Sequence, residues 1–165
     1  MRIRATASVA LAAVVLLSTA GCNFLAPQAT TESYDPSNGV SAQLDDVKIL
    51  NALIISDDGE TGALSTNIVN QGDSETSVLF QYETASGPVD EVVTVAAGEV
   101  AEIGGPTGID IVLHNMDSIP GDMFWVYMQQ GSATGKMVEV PVMTGELPEY
   151  APLVPTPSPS AKPQS

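Results

Sequence analysis

The sequence predicts an all-β protein, an antiparallel β-sandwich following an amino-terminal targeting segment. Three observations lead there. Short runs rich in Val, Ile, Leu and aromatics alternate with polar residues, the two-residue period of half-buried strands. Gly, Pro, Asn and Asp clusters punctuate these runs every 8–12 residues or so, the spacing of a sandwich or barrel. Beyond residue 22, no stretch keeps a 3.6-residue apolar period for three turns. A helical bundle is therefore excluded.

The elements follow in order. Val47 to Ile55 is β-branched-rich and ends at the turn Asp57-Asp58-Gly59. Leu64 to Val69 closes at Asn70-Gln71-Gly72-Asp73, and Ser77 to Thr84 puts Val78, Phe80 and Tyr82 on one face. Ser86-Gly87-Pro88 turns the chain into Val89 to Val95. Gly98 opens a short segment through Ile103, which Gly104-Gly105-Pro106 breaks. Ile109, Ile111 and Leu113 alternate with Asp110 and Val112. Phe124, Val126 and Met128 then alternate with Trp125 and Tyr127, and Val138, Val140 and Val142 with Glu139 and Pro141.

The flanks read differently. Residues 1–21 carry Arg2 and Arg4, an apolar run from Ala5 to Leu17, and the small residues Ser18-Thr19-Ala20-Gly21. That order is a secretory signal, and the run is short of the roughly 20 apolar residues of a membrane span. Thr19-Ala20-Gly21-Cys22 resembles the lipobox of bacterial lipoproteins, with Thr19 where Leu is usual. The resemblance implies cleavage before Cys22, a diacylglycerol on its thiol, and a protein held on the extracytoplasmic face of the cell membrane. Residues 22–38 are the lipidated Cys and a polar, proline-punctuated tether; as a coil, the roughly 16 residues of 23–38 reach on the order of 20–25 Å. The domain is expected over 39–146. Residues 147–165, dense in Pro, Ser and Thr, are expected to be a disordered tail, a composition that builds no core.

Charge and residue counts exclude several functions. Among 165 residues stand twenty acidic side chains against five basic ones, a net charge of −15. A nucleic-acid binder needs a basic footprint, which this chain lacks. One Cys and one His exclude a disulfide framework and the usual zinc and imidazole-based centres. No nucleophile elbow, zincin motif or phosphate-binding loop occurs, so an enzyme is not expected. The clusters Asp45-Asp46 and Asp57-Asp58-Gly59-Glu60 lack the alternating ligands of a calcium loop and read as turns. After cleavage three lysines would face twenty acids, a side-chain charge of −17. Such a body is repelled by anionic lipid, so contact with the membrane rests on the anchor.

Several stretches resemble the periplasmic copper(I) chaperone family. They are Gly62 to Gly72, Val93 to Glu99, Gly121 to Phe124 and Val138 to Val142. The resemblance spans about residues 47 to 143 and implies a cupredoxin-like sandwich, an architecture shared in outline with immunoglobulin-like domains. The family holds Cu(I) with histidine and methionine, ligands suited to a soft ion. In the register of that family Asp110 and Val112 stand where a His and a Met belong, and 23–113 contains neither residue type. No metal or cofactor is therefore expected. The alternative is weak Cu(I) binding through His114, Met116 and Met123. Strand parity turns Met123, Trp125 and Tyr127 outward, with Met137 and Met143 beside them. Packing under another element, docking of an envelope protein and soft-metal binding are the three uses open to such methionines.

Overall fold

The computed structural model describes residues 37–105 and 107–155. The signal, Cys22 and most of the tether lie outside the described residues, as do 156–165 of the tail. Nine strands make up the described fold: β1 Val40–Leu44, β2 Val47–Ile55, β3 Thr61–Asn70, β4 Thr76–Thr84 and β5 Gly87–Val95 open it. They are followed by β6 Val100–Ile103, β7 Ile111–His114, β8 Met123–Gln130 and β9 Lys136–Met143. No α-helix occurs among the described residues.

One layer is built on β2 and β3, with β1 on the free edge of β2. Both β6 and β7 pair along the far edge of β3, β6 with Thr66–Val69 and β7 with Thr61–Leu64. The second layer has the order β5-β4-β8-β9. Among the described strands every strand-to-strand pairing is antiparallel except one. At the corner Ile54 and Ile55 of β2 run parallel to Val142 and Met143 of β9, so the two layers are continuous along one side. A purely antiparallel sandwich was expected; this parallel seam joins strands remote in sequence, which no local pattern encodes.

Between the layers lies the core. Ile49, Ile54, Leu64 and Ile68 from one side meet Val78, Phe80, Val126 and Val140 from the other, all buried. Alternation puts these residues inward, as the sequence predicts for β4, β8 and β9. In β2 the alternation breaks. Val47 and Ile49 face the core, then Ala52 and Ile54 do, because the register with β3 shifts between Leu50 and Leu53. Asn51 sits there at φ 53°, the left-handed region that Asn enters more readily than most residues. Its Oδ1 accepts the Gly39 N–H at 2.9 Å, and Thr66 Oγ1 donates to the Leu50 carbonyl at 2.9 Å. The bulge thus redirects a strand that read simply as β-branched-rich.

Strand β1 carries no strong sequence signal. Its small and polar residues pair with β2 through Gln43↔Lys48 and Leu44↔Val47. The carboxyl-terminal side also departs from the expected outline. Past residue 146 the described chain turns at Leu147–Tyr150 and forms a 3-10 turn, Ala151–Leu153. Asn38 Nδ2 donates to the Tyr150 hydroxyl at 2.8 Å, and Val154 packs on the bare Cα of Gly145. A shallow hollow on the outer face of the first layer is lined by Ser65, Thr66 and Ile103 together with Tyr150, Pro152 and Leu153. Ser65 pairs with Leu53, whose side chain shares that outer face and is buried. Glu149, Tyr150, Pro152 and Leu153 thus line one hollow with residues of β3 and β6. In this part of the proline-dense segment Tyr150 and Leu153 are half-buried, and residues 156–165 lie outside the described residues.

Candidate functional site

The outer face of the second layer is built on β8. Phe124, Val126 and Met128 point inward and are buried, and the alternate positions Met123, Trp125 and Tyr127 point away from the core. In β9 Val140 and Val142 are buried, while Met137 stands outside. Register fixes the neighbours: Trp125 lies opposite Glu139, Tyr127 opposite Met137, and Met123 opposite Pro141. On the other flank Tyr127 pairs with Gln81 of β4. Trp125 is 51% exposed, Met137 56% and Met123 46%. Three large apolar side chains side by side at such exposure form a patch, unlike singly scattered ones.

A groove of about 460 Å³ runs over this face, lined by Met123, Trp125, Tyr127 and Met137. Beneath it the Tyr82 and Phe124 rings tilt against each other at 6.1 Å between centroids, a separation typical of paired aromatics. The groove's wall is the connection from β7 to β8, which contributes Asp117, Ser118 and Asp122; Glu83 at the end of β4 adds a further carboxylate. Backbone bonds hold this wall in place. Gly121 donates to the Val142 carbonyl at 2.8 Å, Val142 donates to the Asp122 carbonyl at 2.9 Å, and Ser118 donates to the Gly59 carbonyl at 3.0 Å. Asn115 and Asp117 both take positive φ, 57° and 52°, which lets the chain double back over β3.

The wall leans on the turn between β2 and β3. There Asp58 Oδ1 accepts the N–H groups of Glu60 and Thr61, each at 2.9 Å. These two backbone donors, Thr61 first, hold the Asp58 carboxyl below its ordinary range, with the Ser56 hydroxyl adding to them. Ser56 itself is buried and donates to the Thr61 carbonyl at 2.7 Å. The cluster is a closed turn, as its Asp-Asp-Gly sequence predicts.

The residues considered from sequence are separated by this arrangement. His114 ends β7 with its side chain exposed, and its backbone N–H donates to the Tyr82 hydroxyl at 3.1 Å. Met116 is only 3% exposed, and a Cβ at residue 62 would come within 2.7 Å of its Sδ. It is a core side chain lodged against Gly62 of β3. Met123 lines the groove on the opposite side of the sheet surface from the core, together with Met137; His114 and Met116 do not line it. Met123 and Met137 are separated by two same-face steps, about 13 Å of strand rise, with Trp125 between them. Cys22 lies outside the described residues. The aromatic and methionine half of the groove was legible from parity. Its acidic wall was not, because Glu83, Asp117 and Asp122 come from two other segments.

No protein-family profile matches this chain, and no curated protein matches it either. Among solved structures it is similar to the apo PmoF2 PCuAC domain, with a TM-score of 0.50 at 13% identity. The match covers 66% of this chain and 98% of that one. At that identity the likeness is one of fold. The described domain is thus a cupredoxin-like β-sandwich with the fold of that PCuAC domain, the fold class expected from the sequence.

Proposed function

We propose that this chain is a cell-envelope lipoprotein which displays a β-sandwich binding domain from the extracytoplasmic face of the membrane, anchored through Cys22. The observation that carries the binding role is the exposed groove face of Met123, Trp125, Tyr127 and Met137. A strand face with such side chains is costly to leave in water unless something covers it. Function lives in such a site, not in the fold. The anchor is supported by the order of basic, apolar and small residues before Cys22. A diacylglycerol supplies two chains at about 0.8 kcal/mol per buried CH₂, enough to retain a protein on a bilayer. Cys22→Ala is expected to move the protein from the membrane to the soluble fraction. Retention of the variant in the membrane would contradict the anchor.

A second reading draws on the fold likeness: weak Cu(I) binding, with His114, Met116 and Met123 as ligands. Thioethers and imidazole suit a soft ion, but Met116 would have to leave its place against Gly62 to serve. An anaerobic Cu(I) competition assay separates the readings. Binding no tighter than about micromolar favours the binding domain without metal, since structural and carrier sites for soft ions hold them far more firmly.

A further inference from the structure

The groove joins two features that recognise the same chemistry. Its floor offers the half-exposed Trp125 indole and Tyr127, whose ring rests against Gly135, with the polarisable Met123 and Met137 at either end. Its wall and rim offer carboxylates: Glu83, Asp117 and Asp122 line it, and Glu139 stands directly opposite Trp125. Among the described residues none of these has an ion-pair partner. The cations of the described fold are elsewhere. Lys48 is on β2 in the other layer, and Lys136, opposite Met128, lies out of step with Met137 and Glu139. Aromatic faces attract cations through their quadrupole, and a nearby carboxylate adds a charge-assisted bond to the same group.

We infer that the groove is the docking site for a basic, extended segment of another protein, with an arginine or lysine side chain laid over Trp125. The inference rests on the binding role proposed above and names the partner's chemistry. Charge decides against a second copy of this chain: at −15, with acids on both sides of the face, it repels itself. The same sign disfavours anionic lipid as the occupant. The distribution of acids argues for a segment with several cations. They flank the face from Glu83 on β4 to Glu139 on β9, and the apolar strip from Met123 to Tyr127 is about 13 Å long by strand rise. Met and aromatic side chains between the charges fit apolar residues alternating with the basic ones.

Trp125 is the chain's single tryptophan, so its fluorescence reports on the groove directly. The full-length protein, purified in a neutral detergent, is titrated with a capped peptide of alternating arginine and leucine, seven residues long. Peptides with glutamate or glutamine in place of arginine serve as controls. A saturable change in Trp125 emission with the arginine peptide is expected, weakening about fivefold or more between 50 and 300 mM salt. The glutamate peptide is expected to give none. By calorimetry, Trp125→Ala should weaken binding about tenfold, and Trp125→Phe should restore part of it. Asp117→Asn with Asp122→Asn should weaken it several-fold. Asp46→Asn with Glu99→Gln, an equal loss of charge outside the groove, should change it less than about twofold. Circular dichroism confirms that each variant is folded.

Equal weakening by both double variants would mean diffuse attraction and would overturn the inference. Tight, Trp125-dependent binding of the glutamate or glutamine peptide would overturn the basic partner while leaving the face a binding surface. No response of Trp125 to any peptide would overturn the site itself. The anchor is tested independently by Cys22→Ala, so failure of either claim is read separately.

Discussion

Met116 shows how a single side chain divides structure from function. It follows His114 in a His-x-Met sequence, and from sequence that spacing could serve a metal or a core. Its burial beside the bare Cα of Gly62 makes it packing. Gly62 is the necessary partner, because a Cβ there would also press to within 2.6 Å of Ile54 Cγ2. Removing the Met116 side chain should leave a cavity, and Met116→Ala is expected to cost about 2–5 kcal/mol in urea unfolding. Met137→Ala, which takes a solvent-facing thioether from the groove, should stay within about 0.5 kcal/mol. Equal costs for the two would contradict the assignment of one to the core and the other to the surface. Nothing in the tripeptide itself distinguishes these roles; the two positive-φ residues, Asn115 and Asp117, that swing Met116 inward have only a weak sequence signature.

At the scale of elements, alternation was a dependable guide where a strand has one wet face. For β4, β8 and β9 it identified both the inward residues and the outward methionine and aromatic strip. It failed for β2, where both faces are buried towards the end and Asn51 resets the parity. It also passed over β1, whose order is conferred by pairing with β2. The turn after β3 was legible as Asn70-Gln71-Gly72, but the role of Asn70 was not. Its side chain is buried, and Nδ2 donates to the Ser74, Val95 and Ala96 carbonyls at 2.8, 3.1 and 3.1 Å. Oδ1 accepts the Gly72 N–H at 3.0 Å. One amide thus ties the end of β3 to its own turn and to the end of β5, two strands of different layers. Asn70→Ala strands several polar groups and is expected to lower stability by about 2–4 kcal/mol, read by chemical denaturation. Asn70→Asp, which keeps the acceptor and loses the donors, should be nearly as damaging at neutral pH.

For the whole molecule, charge and location belong together. The chain carries a net charge of −15, and on the proposed reading that acidity would steer it towards basic partners. The two layers are joined by the parallel seam between β2 and β9, and the groove lies on the outer face of the second layer. The sandwich was legible from strand spacing, and its groove only in half, because the acidic wall is assembled from segments remote in sequence. The targeting segment is an expectation from the order of basic, apolar and small residues before Cys22, and it lies outside the described residues. On the proposed reading, lipid on Cys22 holds this sandwich domain to a membrane. Intact-mass spectrometry of the protein extracted from the membrane fraction tests it most directly. A chain that begins at Cys22 and carries the added mass of a diacylglycerol on that residue is expected. A chain that retains residues 1–21, or one whose Cys22 is an unmodified thiol, would contradict it.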